Sequence, residues 1–336
     1  MAGRIQLVLP GLFDLPLAEF APGQLADELP ALNRILRFGS PRPNPDFSID
    51  AILRQVLALE APAEKSDCSL PLAQAYAPRQ PQHANRLLLF QAVHLRPDLH
   101  SAIIAPIQHD QKNLNDIDLI INDLKDLFNV DCDITAVDKG LFLMELKAFE
   151  APRHYPHILS VLGKPASPYI EQSRQHLNWY KLLNEMQMFL HQHAINQDRE
   201  LRGLLPVNSL WFWGGGSLPE IIDRGLSWYC DDPVLTRFAT SLGLTTAPLA
   251  EVANLDQSSD AAVIELRLLE LLKTGVATEL DQMLRDIDSG LLQPLLRAVE
   301  RDRKSICLRA GAESDFEMKP GATLKFWRRP RTLATW

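Results

Sequence analysis

The stretch from Pro206 to Leu226 constrains the fold of this chain more than any other. VNSLWFW (Val207 to Trp213) reads as a buried strand. Gly214, Gly215 and Gly216 break it, and Ser217-x-x-Glu220 with Pro219 in the first turn has the form of a helix start. A strand, a glycine loop and a capped helix in succession make a β-to-α turn. That corner of an α/β sheet is the one that most often faces a ligand.

The rest of the chain alternates in the same way. Ile5 to Phe13 is strand-like and ends at Pro10-Gly11, while Leu29, Leu32, Ile35 and Leu36 fall at helical spacing before the turn-rich GSPRPNPD. Ile49 to Leu59 predicts a short helix, and 61–86, rich in Pro, Ala, Gln and Ser, predicts a loop with little regular structure. RLLLFQAVHL and HSAIIAP read as strands, Asp116 to Phe128 as an amphipathic helix, and DCDITAVDKGLFLMEL as a hairpin turning at Asp138-Lys139-Gly140. A long helix is expected from Tyr169 to Ala194, and further helices over Pro233–Leu242, Ala261–Leu272 and Leu280–Val299, the last interrupted at Gly290 and Pro294. SICLRAG reads as a strand and FEMKPGATLKFW as a hairpin turning at Pro320-Gly321. The expected organisation is an N-terminal part of an α/β core over 1–86, an inserted α+β lobe over 87–165, and the remainder of the core with a C-terminal hairpin and tail over 166–336.

Composition narrows the classes of function. The 46% hydrophobic and 23% charged fractions are those of a packed globular protein. A formal net charge of -8 argues against a general nucleic-acid binder, which usually presents a basic face. The one dense basic cluster, Arg328, Arg329 and Arg331 beside Trp327, reads as a solvated tail. Cys68, Cys132, Cys230 and Cys307 form no C-x-x-C pair, so neither a zinc ribbon nor a redox dithiol is expected. The N-terminal sequence lacks the form of a signal peptide, and no stretch approaches the roughly 20 apolar residues of a membrane span. The expected compartment is the cytoplasm, with no nucleic-acid or membrane partner.

Nine histidines raise the question of a metal. His191 and His193 lie two apart on a predicted helix, about 200° around its axis, and cannot share one ion without distortion. His154 and His157 sit in a predicted loop without a carboxylate pair, and His109-Asp110 is an isolated dipeptide. A metal site needs three or four convergent ligands, so none is assigned. Gly214–Gly216 with Ser217 offers backbone N–H groups for an anion, but no Walker lysine follows and the G-x-G-x-x-G spacing is missing. A tight turn joining strand and helix is the competing reading. No G-x-S-x-G elbow is present.

From Leu182 to Gly216 the sequence LLNEMQMFLHQHAINQDRELRGLLPVNSLWFWGGG resembles a block of the archaeal-type cofactor-independent phosphoglycerate mutases, of the alkaline-phosphatase superfamily. The matching residues are His193, Ile195, Asn196, Arg199, Gly203, Pro206, Asn208 and Gly214–Gly216, with Ala194 in place of the usual proline. AVHLRPDLHSAII with Arg96, LPALNRILRFG and LDQMLRDIDSGLLQPLL are similar to other segments of the family. PVNSLWFWGGG, VHLRPD and FWRRPRTLA resemble more closely a bacterial group of RpfE-type regulatory proteins. The resemblance implies a three-layer α/β fold of alkaline-phosphatase type with an inserted small α+β lobe.

The departures bear on activity. Family members hold two divalent ions, such as Mn or Zn, through motifs at fixed places. The D-G-x-x-D motif should fall at LPGLFDLP, where Pro10-Gly11 stands in the aspartate's place and only Asp14 remains. SVLGKPASPY stands for D-T-D-P-H, LLKTGVATEL for D-x-x-x-H, and LRAGAESD for D-H, with Asp315 a candidate remnant. Ser40, Ser48 and Ser66 lie in polar loops and give no convincing nucleophile. Two metal ions would activate the nucleophile and neutralise phosphoryl oxygens, and uncharged residues cannot replace them.

The resemblance therefore implies a catalytically degenerate relative with no catalytic or metal-ligating residue and no cofactor. It would keep a pocket for a small phosphorylated or carboxylate ligand, lined by Arg96, His193, Asn196, Arg199, Asn208, Gly214, Gly215 and Gly216. Arginines there would grip an anion bidentately. The structural alternative pairs Arg199 with Glu185 or Glu200 and has Asn208 cap a turn. An active metal-dependent mutase would need His100, His109, Asp110, Asp14 and Asp315 to converge. A third reading is a regulatory protein that docks a partner through FWRRPRTLATW.

Overall fold

The computed structural model describes residues 3–15, 28–44, 48–59, 69–77, 81–99, 101–108, 110–152, 155–170, 176–219, 225–255, 259–274, 279–311, 313–324 and 327–329. Its strands are β1 (Arg4–Val8), β2 (Ser40–Pro43), β3 (Leu87–Pro97), β4 (Ala102–Pro106), β5 (Cys132–Asp138), β6 (Leu141–Leu146), β7 (Ser209–Trp213), β8 (Ser227–Cys230), β9 (Thr245–Ala247), β10 (Ala261–Ile264), β11 (Ser305–Arg309) and β12 (Ser314–Met318). The α-helices are α1 (Pro30–Phe38), α2 (Ile49–Val56), α3 (Gln111–Leu127), α4 (Ile158–Val161), α5 (Leu177–Gln192), α6 (Ala194–Leu201), α7 (Pro233–Ser241), α8 (Arg267–Thr274), α9 (Leu280–Asp286) and α10 (Gln293–Asp302). Among the described residues no helix is long and apolar enough to cross a membrane.

The chain forms two compact units, residues 1–59 with 220–336, and residues 60–219. The first is a three-layer α/β structure around a seven-stranded sheet of order β2-β12-β11-β1-β10-β8-β9. β11, β1, β10, β8 and β9 run parallel, and β12 and β2 extend the sheet antiparallel. Alternation along the strands decides the layers. Ile5 and Leu7 of β1, Val263 of β10 and Ile306 and Leu308 of β11 face a core shared with Leu32, Ile35 and Leu36 of α1 and Leu295, Leu296 and Val299 of α10. Gln6 and Arg309 point to the opposite face, where Gln55 of α2 meets Arg309. Ser48 caps α2 by accepting from Ala51 N–H at 3.2 Å, and Asp232 caps α7 by accepting from Leu235 N–H at 2.7 Å.

The second unit contains a five-stranded sheet with antiparallel pairing throughout, in which β3 pairs with β4, β6 and β7. β7, SLWFW, is buried at every position. Its rings join an aromatic core: Phe212 stacks edge-on to Trp179 at 4.8 Å and lies 5.2 Å from Phe90. Trp179 donates from Nε1 to the Tyr155 hydroxyl at 3.0 Å, so the buried indole N–H is satisfied.

Several expectations from the sequence change. The second unit runs from 60 to 219 and not from 87 to 165, because Ser209–Trp213 pairs along Leu89–Val93 and so places VNSLWFW in this sheet rather than in the core. The expected helix over Ala261–Leu272 is strand β10 followed by α8. β10 is buried on both sides between β1 and β8, and such a run shows no period to separate strand from helix. GSPRPNPD contains edge strand β2, whose prolines an edge position tolerates. β12 makes its hairpin with β11, and Ala322–Leu324 after Pro320-Gly321 is a short 3₁₀ turn. Loop 61–86 holds 3₁₀ segments at Leu72–Tyr76 and Pro81–Arg86. Gly290 lies in a π-helical stretch, Ile287–Leu292, that links α9 to α10 without a break. The helix expected after Pro219 lies outside the described residues.

Candidate functional site

The pocket residues expected from sequence all fall in the unit 60–219. His193 ends α5 and caps α6. Its Nδ1 accepts from Ile195 N–H at 3.2 Å, and its Nε2 lies 3.2 Å from Asp123 Oδ2. Asn196 is buried and clamps the returning chain. It donates to Leu190 O and Val207 O, each at 2.7 Å, and accepts from Val207 N–H at 2.8 Å. Asn208 bonds both backbone groups of Leu95, accepting at 2.7 Å and donating at 3.0 Å, as a strand neighbour would.

Arg199 is 1% exposed. Its Nε donates to Leu205 O at 3.0 Å, one terminal nitrogen to Asp116 Oδ2 at 2.8 Å and the other to Asn113 Oδ1 at 2.7 Å. Its acid is Asp116 on α3, neither Glu185 nor Glu200. Asn113 in turn donates to Asp110, whose carboxyl is held below its ordinary range first by the backbone N–H of Asn113. His193, Asn196, Arg199 and Asn208 are thus gathered around one turn of chain, with their polar atoms directed at backbone and at α3. Arg96 stands apart, exposed near the end of β3 and paired in the ladder with Ile103.

The glycines make a close turn. Gly214 has φ +77°, donates to Ser69 Oγ at 3.1 Å and accepts from Ala73 N–H at 2.9 Å. A Cβ on it would lie 3.1 Å from Ala73 N, and one on Gly215 would lie 3.0 Å from Leu88 Cδ2. Gly216 donates to Ala84 O at 3.3 Å. Two of the three N–H groups expected to face an anion therefore meet protein acceptors.

A second place was hidden from sequence reading. Ligands of open α/β sheets gather outside the carboxyl ends of the parallel strands. There β8 is followed by Asp231 and Asp232, and β10 by Glu265. Glu265 is 1% exposed and is gripped by Arg267, which donates from Nε to both carboxylate oxygens at 3.0 Å and from its backbone N–H at 2.8 Å. Asp231 accepts from Leu249 N–H at 2.9 Å. At the end of β11, Arg309 is tied to Asp315 at 2.7 Å, to Gln6 and to Gln55. Burial raises the Asp315 carboxyl, an effect that Arg309 opposes. Reading 261–272 as one helix concealed Glu265 and Arg267. The run AAVI followed at once by Glu-Leu-Arg is the signal that would have revealed a strand end.

The end of β1 is filled by apolar side chains. Gly11 is buried with φ +86°, and a Cβ there would lie 2.9 Å from Leu272 Cδ1, 3.2 Å from Leu269 Cδ1 and 3.3 Å from Leu269 Cα. A side chain at this position would strike α8. Asp14, beyond the turn, is exposed. His100, His109 and Ser66 lie outside the described residues, and Asp110 is engaged as the cap of α3. Among the described residues no three His, Cys, Asp or Glu side chains converge as metal ligands. Glu265, Asp231, Asp232 and Asp315 at this edge already accept from a guanidinium or from backbone N–H groups, and among the described residues no imidazole joins them. This donor set does not fit a pair of divalent ions.

No protein-family model matches the sequence, and no curated protein matches it. Among solved structures the chain is similar to a protein of Pyrococcus horikoshii, at 14% identity over 95% of this chain and 88% of that one, with a TM-score of 0.48. It is also similar to the cofactor-independent phosphoglycerate mutase of Thermoplasma acidophilum DSM 1728, at 16% identity over 94% of this chain and 89% of that one, with a TM-score of 0.41.

Proposed function

We propose that this chain is a catalytically degenerate relative of the cofactor-independent phosphoglycerate mutases that acts by binding a small anion or a partner, as a regulatory protein of the bacterial cytoplasm akin to the RpfE-type group. The observation that carries the reading is the Pro10-Gly11 turn at the end of β1. Where the family places the D-G pair that opens its first metal-binding motif, this chain has Pro10-Gly11, with proline in the aspartate's place and the glycine beside it closed over by Leu269 and Leu272. Phosphoryl transfer by two metals needs carboxylates and imidazoles around the reacting phosphate, and leucine side chains cannot neutralise its oxygens. The Glu265–Arg267 pair supports the same reading, since the carboxylate already has its counter-cation.

Elemental analysis of the purified protein, beside mutase and phosphatase assays with added Mn, tests the proposal. The expected result is substoichiometric metal and no turnover of phosphoglycerate. Tightly held stoichiometric Mn or Zn together with turnover would overturn it. The small ligand is tested separately by thermal denaturation with phosphoglycerate, since a ligand that binds only the folded state raises the melting temperature.

A further inference from the structure

Arg328 of the basic cluster is bonded to the rest of its unit. Arg328 donates from Nη1 to Phe38 O at 2.7 Å and to Gly39 O at 3.1 Å, and from Nη2 to Ser40 Oγ at 3.2 Å. Arg37 Nε returns a bond to Arg328 O at 2.9 Å. Arg328 is thereby fastened to the C-terminal end of α1 and the start of β2. Between them is a cavity of about 300 Å³ lined by Arg37, Gly39, Ser40, Pro41, Arg328 and Arg329.

Charge sets this cavity apart. The protein carries a net charge of -8, yet three guanidinium groups line one small space. Among the described residues no carboxylate pairs with Arg328 or Arg329. The nearest acid by strand register is Glu317, opposite Ser40, and it is held by Arg42. The carbonyl oxygens of Phe38 and Gly39, which would otherwise repel an anion at a helix C-terminus, are covered by Arg328. A planar guanidinium donates in parallel to two oxygens of one phosphate, and a serine hydroxyl adds a third donor. The volume is at the lower limit for small-molecule sites.

We propose that this cavity, which Arg37 also lines, is a binding site for a small phosphate dianion, either inorganic phosphate or the phosphate of a compact monoester, held by Arg329, Ser40 and the remaining donors of Arg328. The site is separate from the residues considered under the proposed function and does not depend on that reading. Arg329 is exposed, so replacing it removes a ligand donor and leaves the bonds of Arg328 in place.

Calorimetric titration of the full chain with inorganic phosphate, at ionic strength held constant with chloride, tests the site. A parallel titration with glycerol phosphate separates the free ion from a monoester. Saturable binding is expected, weakened roughly tenfold or more in Arg329→Gln. Ser40→Ala should weaken it less, and the charge-matched control Lys181→Gln should leave it unchanged. An unaltered melting temperature of Arg329→Gln without phosphate shows that the fold is intact. No saturation of the wild type at millimolar phosphate overturns the proposal. So does equal binding by wild type and Arg329→Gln, or saturable binding of an oligoglutamate peptide without binding of phosphate, which would assign the cavity to a protein partner.

Discussion

Arg199 on α6 and Asp116 on α3 form an ion pair of 2.8 Å across 83 residues of sequence, with the arginine 1% exposed. Removing one partner of such a pair leaves a buried charge unmatched, which typically costs about 3–5 kcal/mol. Arg202 also reaches Asp116, at 2.7 Å, and keeps the acid partly neutralised. Arg199→Ala should therefore lower stability by about 3 kcal/mol in urea denaturation. An alanine variant of wild-type stability would show that the pair with Asp116 contributes nothing to the fold.

Gly214 and Gly163 both have positive φ, +77° and +79°, but only Gly214 is crowded. Gly163→Ala meets nothing within 4 Å and should cost about 1 kcal/mol, the strain of the left-handed conformation alone. In Gly214→Ala the new methyl would stand 3.1 Å from the backbone nitrogen of Ala73, which cannot yield as a side chain can. A cost of about 2–3 kcal/mol is expected. Equal melting temperatures for the two variants would disprove the close approach.

His157 caps α4 with Nδ1, accepting from Leu159 N–H at 3.3 Å, and lies against Trp213 with ring centroids 5.7 Å apart. Burial lowers its pKa from 6.5 to about 4. The folded chain thus binds fewer protons than the unfolded one between those values. The stability contribution of the neutral ring is complete above pH 6.5 and is lost as pH falls toward 4, by about 3 kcal/mol in all. His157→Asn, which can still cap the helix, should flatten the pH dependence over that interval. An unchanged slope of unfolding free energy against pH in the variant would count against the assignment.

Arg267 is the counter-cation of Glu265, which is 1% exposed. Arg267→Ala leaves that carboxylate with backbone donors only and should destabilise the chain by about 2–4 kcal/mol. The paired change to Glu265→Leu should restore much of the loss, because an apolar group at a buried site needs no partner. A double-mutant cycle in urea measures the coupling, and a value near zero would show the pair to be incidental.

Much of the second unit was legible because its signals are local. The apolar positions Ile117, Ile120, Ile121 and Leu124 of α3 repeat at the helical period and are buried as that period demands. Asp138-Lys139-Gly140 turns the β5–β6 hairpin where the sequence placed it, with Gly140 at φ +67°. Glu265 and Arg267 were not legible, since a four-residue strand buried on both faces carries no alternation. The acceptors of the glycine loop's N–H groups, Ser69 and Ala84, were not legible either, because they lie far away in sequence.

The sequence alone determined most of the alternation of strands and helices and the hairpin at Gly140, because dihedral preference and periodicity act over a few residues. It also determined that Pro10-Gly11 offers no carboxylate. Only the tertiary structure decided that VNSLWFW pairs with β3, that Arg199 faces Asp116, and that Arg328 binds the end of α1. Those choices depend on which distant backbone and charged groups meet once apolar faces are buried, and no local pattern encodes that meeting.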